Sequence, residues 1–167
     1  MATVSFRDTQ LHTCGEVPIV GDHAPDFTLT GADLSDIKQS DLLGKTAVLN
    51  VFPSIDTPTC QQSVRVFNEK AAALSDAVVL CVAMDLPFAM SRFCGAEGID
   101  NVKVASGFRS SFGRAFGLEL VDGPLRGLYA RAVVVIDPNG IVTHQELVDN
   151  LASEPNYDAA LAAISTQ

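Results

Sequence analysis

At 167 residues, 47% of them hydrophobic and 19% charged, the chain can bury a substantial core without disulfide staples, and a single domain spanning 1–167 is expected. A formal charge of −9 with no run of Lys or Arg excludes a phosphate-binding surface, so no nucleic-acid partner is expected. The N-terminus lacks the charged-then-apolar pattern of a signal peptide, and no apolar run approaches the ~20 residues needed to span a bilayer. The expectation is a cytoplasmic protein with no membrane partner.

Residues 3–7 alternate polar and apolar, Asp8-Thr9 can turn, and residues 10–14 can return, which predicts an N-terminal β-hairpin. Residues 21–29 read as an irregular lead-in to a short extended segment, and residues 35–43 as a helical turn closed by Gly44. Residues 47–52 and 77–84 are apolar at nearly every position, as strands buried on both faces are. Between them Val64, Phe67, Ala71 and Leu74 recur at spacings of three and four, the stripe of an amphipathic helix. Strand, helix, strand in this order predicts a right-handed crossover and a parallel pair.

Pro87 then opens a helix that Gly98 stops; 102–105 reads as a short strand and 110–116 as a short helix ended by Gly117. Residues 132–136 and 141–148 flank Asp137-Pro138-Asn139-Gly140, a strong turn signal, and so form an antiparallel hairpin. A last helix after Pro155 carries Tyr157, Ala160, Leu161 and Ile164 on one stripe. The order, a hairpin, then βαβ with an added helix, then ββα, predicts an α/β, thioredoxin-like fold with an N-terminal β-hairpin extension and a helical insertion.

The chemistry centres on Pro53-Ser54-Ile55-Asp56-Thr57-Pro58-Thr59-Cys60, the turn from a core strand into a helix. Thr57 stands at the N-cap, Pro58 at the first helical position, and Cys60 in the first turn, where unpaired N–H groups and the helix dipole favour a thiolate. The thiolate is the reactive form of cysteine. Arg65, Arg92 and Arg131 are candidate guanidinium partners among which local sequence does not choose, although Arg131, between two alanines at a strand entrance, is unlike a surface residue. A thiolate oxidised to a sulfenic acid condenses with a second thiol. Cys94, late in a helix that ends in glycine, is the natural one, and helical starting positions would have to unwind to bring two Cα atoms within about 7 Å. Cys81, inside an apolar strand, reads as structural, and Cys14 as an edge-strand residue. No Cys-x-x-Cys is present and the three histidines lack ligand spacing, so neither a metal site nor a thioredoxin-type dithiol is expected.

Pro53-x-x-x-Thr57-x-x-Cys60 resembles the active-site motif of the peroxiredoxins, and Phe52 to Cys60 that of the atypical two-cysteine thiol peroxidases of bacteria. Asp85-Leu86-Pro87-Phe88-Ala89 and Ser91-Arg92-Phe93-Cys94-Gly95-Ala96-Glu97-Gly98 are similar to the resolving-cysteine segment of that family, and Gly123-Pro124-Leu125 and Ala130-Arg131-Ala132 to its later signature. The resemblance implies reduction of hydrogen peroxide and organic hydroperoxides, often with preference for the latter. It implies Cys60 as peroxidatic cysteine, Thr57 hydrogen-bonding thiolate and peroxide, Arg131 holding the thiolate, Pro53 shielding the pocket, and Cys94 resolving it in the same subunit. Thioredoxin would reduce the Cys60–Cys94 disulfide, no cofactor or metal would be needed, and the protein would be a homodimer. Met90 departs from the glutamine many relatives carry, with a consequence for the mobile segment, and Cys14 lies outside the pattern. The competing expectations are a thiol–disulfide oxidoreductase, disfavoured by the missing Cys-x-x-Cys, and a redox-sensing or chaperone-like binding module.

Overall fold

The computed structural model describes residues 1–165. In chain order it comprises β1 (Thr3–Phe6), β2 (Thr9–His12), β3 (Thr28–Gly31), β4 (Asp36–Lys38), a 3₁₀ turn (Gln39–Leu42), β5 (Thr46–Val51), α1 (Pro58–Ala71) and β6 (Ala77–Ala83). It continues through α2 (Pro87–Glu97), β7 (Lys103–Ser106), α3 (Phe112–Ala115), β8 (Ala132–Ile136), β9 (Val142–Leu147) and α4 (Tyr157–Ser165). Seven strands form one mixed sheet in the order β4-β3-β7-β6-β5-β8-β9, with β5, β6 and β7 parallel and β8 antiparallel to β5.

The pattern of β5 shows why this sheet is two-sided. All six of its residues are buried, and they alternate between two cores. Ala47, Leu49 and Val51 face the N-terminal hairpin, α3 and the 118–130 segment. Val48 faces the opposite core with Val64 and Phe67 of α1, Met90 and Phe93 of α2 and Ala160 of α4. A continuous apolar run is thus period-two packing against two layers. The α/β, thioredoxin-like architecture expected from the sequence is the one observed, extension and insertion included.

Two local expectations are corrected. Residues 35–43 begin as a strand: Asp36–Lys38 pairs antiparallel with β3, and only 39–42 are helical. The Asp33 carboxylate accepts from the Ser35 N–H (3.1 Å) and hydroxyl (2.6 Å), closing a tight turn that returns the chain to β3. A three-residue strand with one apolar residue carries no readable alternation. In the N-terminal hairpin Phe6 pairs with Thr9, so the turn is Arg7-Asp8 and not Asp8-Thr9. This hairpin is a separate two-stranded sheet. It is fastened to the 149–151 loop by Ser5 N–H to the Asp149 carbonyl (2.7 Å) and Leu151 N–H to the Ser5 carbonyl (2.9 Å).

Candidate active site

The turn from β5 into α1 is fixed from below by one carboxylate. Asp85, just past β6, accepts hydrogen bonds from the Ser54 hydroxyl (2.8 Å) and the Ile55 N–H (2.6 Å). Because β5 and β6 are parallel neighbours, their C-terminal ends lie side by side, and that is what brings residues 54 and 85 together. The Asp56 N–H closes onto the Ser54 hydroxyl (3.1 Å).

Thr57 has extended N-cap dihedrals and Pro58 follows as the first helical residue, as expected. Its hydroxyl does not cap the helix, however. It donates to the Ser54 carbonyl at 3.1 Å. The cap expectation therefore holds for the backbone and fails for the side chain, which leaves the oxygen's lone pairs at the pocket. The first-turn donors of α1 receive no side-chain cap from it.

Cys60, three residues after Thr57, is fully buried. Its Sγ lies 3.3 Å from Nη2 of Arg131, across 71 positions of sequence. Arg131 sits immediately before β8 and is 1% exposed. Its Nε and Nη2 both donate to the Leu151 carbonyl, at 3.1 and 2.7 Å, and Nη1 has no partner. Among the described residues no carboxylate pairs with this guanidinium. A buried cation without a counter-ion is costly, and the Cys60 sulfur is the side-chain atom placed against it. The other two arginine candidates are engaged elsewhere: Arg65 with Glu97 at 2.6 Å and Arg92 with Asp56 at 3.1 Å.

An open pocket of about 250 Å³ leads to this point. Pro53, Thr57 and Arg131 line its inner part, while Phe6, Leu125, Leu128 and Leu151 supply apolar walls. Cys60 is buried next to this lining, its sulfur in contact with Arg131. Sequence reasoning missed Leu151, Ser54, Phe6 and Arg7. Only the hydroxyl of Ser54 beside Asp85 offered a signal, and pairing them required knowing that β5 and β6 are adjacent.

Cys94 lies in α2, half-buried against the same core as Cys60, and burial pushes its thiol pKa up. No disulfide is present among the four cysteines. Cys81 is fully buried beside the Asn50 amide (3.8 Å) and is pushed up to about 12 by burial, the behaviour of a structural thiol. Cys14 rests against the Gly113 carbonyl, away from the site. Met90 is wholly inside the core beneath α2.

Comparison with known proteins places the chain in a family. A model of the Redoxin family matches residues 19–161. The thiol peroxidase of Mycobacterium tuberculosis is 56% identical over 164 residues, 98% of this chain and 99% of that protein, and the thiol peroxidase of Corynebacterium glutamicum is 50% identical over 165 residues, 99% and 100%. Among solved structures, a peroxiredoxin-like protein from Aquifex aeolicus superposes with a TM-score of 0.90 at 36% identity, covering 98% of this chain and 96% of that one. A thiol peroxidase from Chromobacterium violaceum shares the fold at a TM-score of 0.89 and 20% identity, with 98% and 96% covered. The chain belongs to the Redoxin family and groups within it with the peroxiredoxin-type enzymes.

Proposed function

We propose that the protein is a thiol-dependent peroxidase in which Cys60 attacks hydrogen peroxide and organic hydroperoxides. The observation that carries this reading is the buried guanidinium of Arg131, 3.3 Å from Sγ with one nitrogen still unpartnered. In the first step the Cys60 thiolate takes the terminal OH of the peroxide, the O–O bond breaks, and the departing alkoxide or hydroxide takes a proton from solvent to leave as alcohol or water. Sulfur is oxidised to sulfenic acid and the peroxide is reduced. Negative charge grows on the departing oxygen. Arg131 stabilises it with a donor already in place, so no reorganisation is needed at the moment of reaction. Thr57 orients the peroxide through its free lone pairs, and Pro53 keeps water off the sulfur.

In the second step the Cys94 thiol attacks the sulfenic sulfur, an S–S bond forms and water leaves. Both cysteines start in helices, so α2 unwinds around Cys94 for the two to meet. The protonated, half-buried state of Cys94 keeps it from competing for peroxide beforehand. A thioredoxin dithiol then reduces the Cys60–Cys94 disulfide. The chain acts as one domain, as a homodimer, in the reducing cytoplasm.

The test is peroxide consumption coupled through thioredoxin and thioredoxin reductase to NADPH, for the wild type and Cys60→Ser. The wild type turns over and the variant falls to the uncatalysed background. Turnover by Cys60→Ser would remove Cys60 from the reaction.

A further inference from the structure

The pocket over Cys60 has a charge pattern opposite to that of the chain. The protein carries 20 acidic residues against 11 Lys and Arg, yet the pocket lining contains two arginines and no acid. Arg131 is committed to Cys60 and Leu151 at the inner end. Arg7 is the other, at the mouth and exposed to solvent. Among the described residues Arg7 has no carboxylate partner. Its guanidinium instead stacks over Phe6, 4.9 Å from the ring centroid, and Phe6 is itself an apolar wall of the pocket.

The backbone makes arginine a costly residue here. Arg7 has φ 55° at the first position of a two-residue hairpin turn whose second residue has no positive φ. Glycine is the residue of choice for that position, because a side chain strains it. Hairpin formation alone therefore favours a glycine in place of Arg7.

We infer that Arg7 is a specificity-determining residue that binds the carboxylate of an apolar hydroperoxide, such as a free fatty-acid hydroperoxide, while the hydrocarbon lies against Phe6, Leu125 and Leu128 and the peroxide reaches Arg131. A guanidinium matches a carboxylate with two parallel hydrogen bonds, and a cation at the mouth offsets the repulsion an anion meets from this acidic chain. The pocket volume holds roughly eight heavy atoms at about 30 Å³ each, enough for an alkyl segment between the two charged ends. The inference rests on the peroxidase reading above.

The experiment compares kcat/KM for linoleic acid hydroperoxide and its methyl ester, below their micellar concentrations, in the wild type, Arg7→Gln, Arg7→Gly and Arg7→Glu. Taking the ratio of acid to ester within each protein cancels general changes in the pocket. The wild-type ratio is about two to five at low ionic strength, as expected of an exposed pair, and shrinks with added salt. It falls to about one in Arg7→Gln and Arg7→Gly and below one in Arg7→Glu. Arg7→Gly also raises Tm by about 2–4 °C, since it relieves the turn. A wild-type ratio of one, or a ratio that survives Arg7→Gln, overturns the inference. So does a ratio lost together with a lowered Tm in Arg7→Gly, which would make Arg7 a hairpin residue. Consumption of hydrogen peroxide by the wild type separates the two failures: activity with a flat ratio defeats only the role of Arg7, and no activity defeats the peroxidase reading.

Discussion

Cys60 and Cys94 lie on two helices that both start with proline and pack on the same core, yet they are held by different forces. The start of α1 is locked from inside. Asp85 ties the preceding turn, and the Ser63 hydroxyl donates to the Cys60 carbonyl at 2.8 Å while accepting from the buried amide of Asn50 at 3.2 Å. Arg131 contacts the sulfur. The second half of α2 is held from outside. It contains Gly95 in its last turn and ends at Gly98 in the left-handed conformation, φ 67°. Two ion pairs flank Cys94, Arg92 to Asp56 in the turn before α1 and Glu97 to Arg65 in α1 itself, with every partner at least 37% exposed. Buried contacts resist local opening, and exposed ones release cheaply. The difference suits the proposed division of labour, in which one thiol stays in a built pocket and the other travels.

That contrast can be broken in four ways. The largest effect belongs to Cys94→Ser: the reduced variant consumes one equivalent of peroxide and then stops, because no disulfide forms for thioredoxin to reduce. An intramolecular disulfide in this variant by mass spectrometry, through Cys14 or Cys81, would transfer the second role to another thiol. Next, Arg131→Met slows the single-turnover reaction about 10²–10³-fold, the loss expected for one charge-stabilising donor. It also lowers stability by about 1–3 kcal/mol through the orphaned Leu151 carbonyl. A rate within tenfold of wild type in stopped flow would remove Arg131 from the reacting centre.

A smaller effect tests the soft helix. A methyl group at Gly95 meets no atom within 4 Å, so Gly95→Ala stabilises α2 by up to about 1 kcal/mol. If α2 must unwind to resolve the sulfenic acid, disulfide formation slows by up to about fivefold while the peroxide step keeps its rate. Equal rates for both steps in the variant and the wild type would mean that α2 does not unwind at Gly95. The smallest effect is that of salt. The two exposed ion pairs contribute about 0.3 kcal/mol each, toward the low end for exposed pairs, and at ~1 M ionic strength the screening length contracts to about 3 Å. Disulfide formation then speeds up by less than about threefold. A slowing instead would show that these pairs guide Cys94 toward Cys60 and do not restrain it.

Much of the plan was legible in the sequence, for a local reason. Helix and strand periodicity, glycine stops and proline starts act within a few residues. They set α1, β5, β6 and the β8–β9 hairpin, and they put Cys60 in the first turn of a helix and Cys94 near a weak end. The same locality explains the misses. β4 has one apolar residue, and its strand character comes only from pairing with β3. Thr57 has the sequence of a cap, but the Ser54 carbonyl lies closer to hand in this turn.

By itself, then, the sequence determined the order of elements, the position of Cys60 at a helix start and the family resemblance of its motif. The tertiary structure decided which of three arginines meets that cysteine. Arg131 prevails because β8 lies beside β5 in the sheet, so that its entrance faces the first turn of α1. It also decided what aims Arg131. The N-terminal hairpin clips the 149–151 loop, and the Leu151 carbonyl in that loop takes two of the guanidinium's hydrogen bonds. No window of sequence contains that chain of contacts, because each link joins residues brought together only by sheet order and packing.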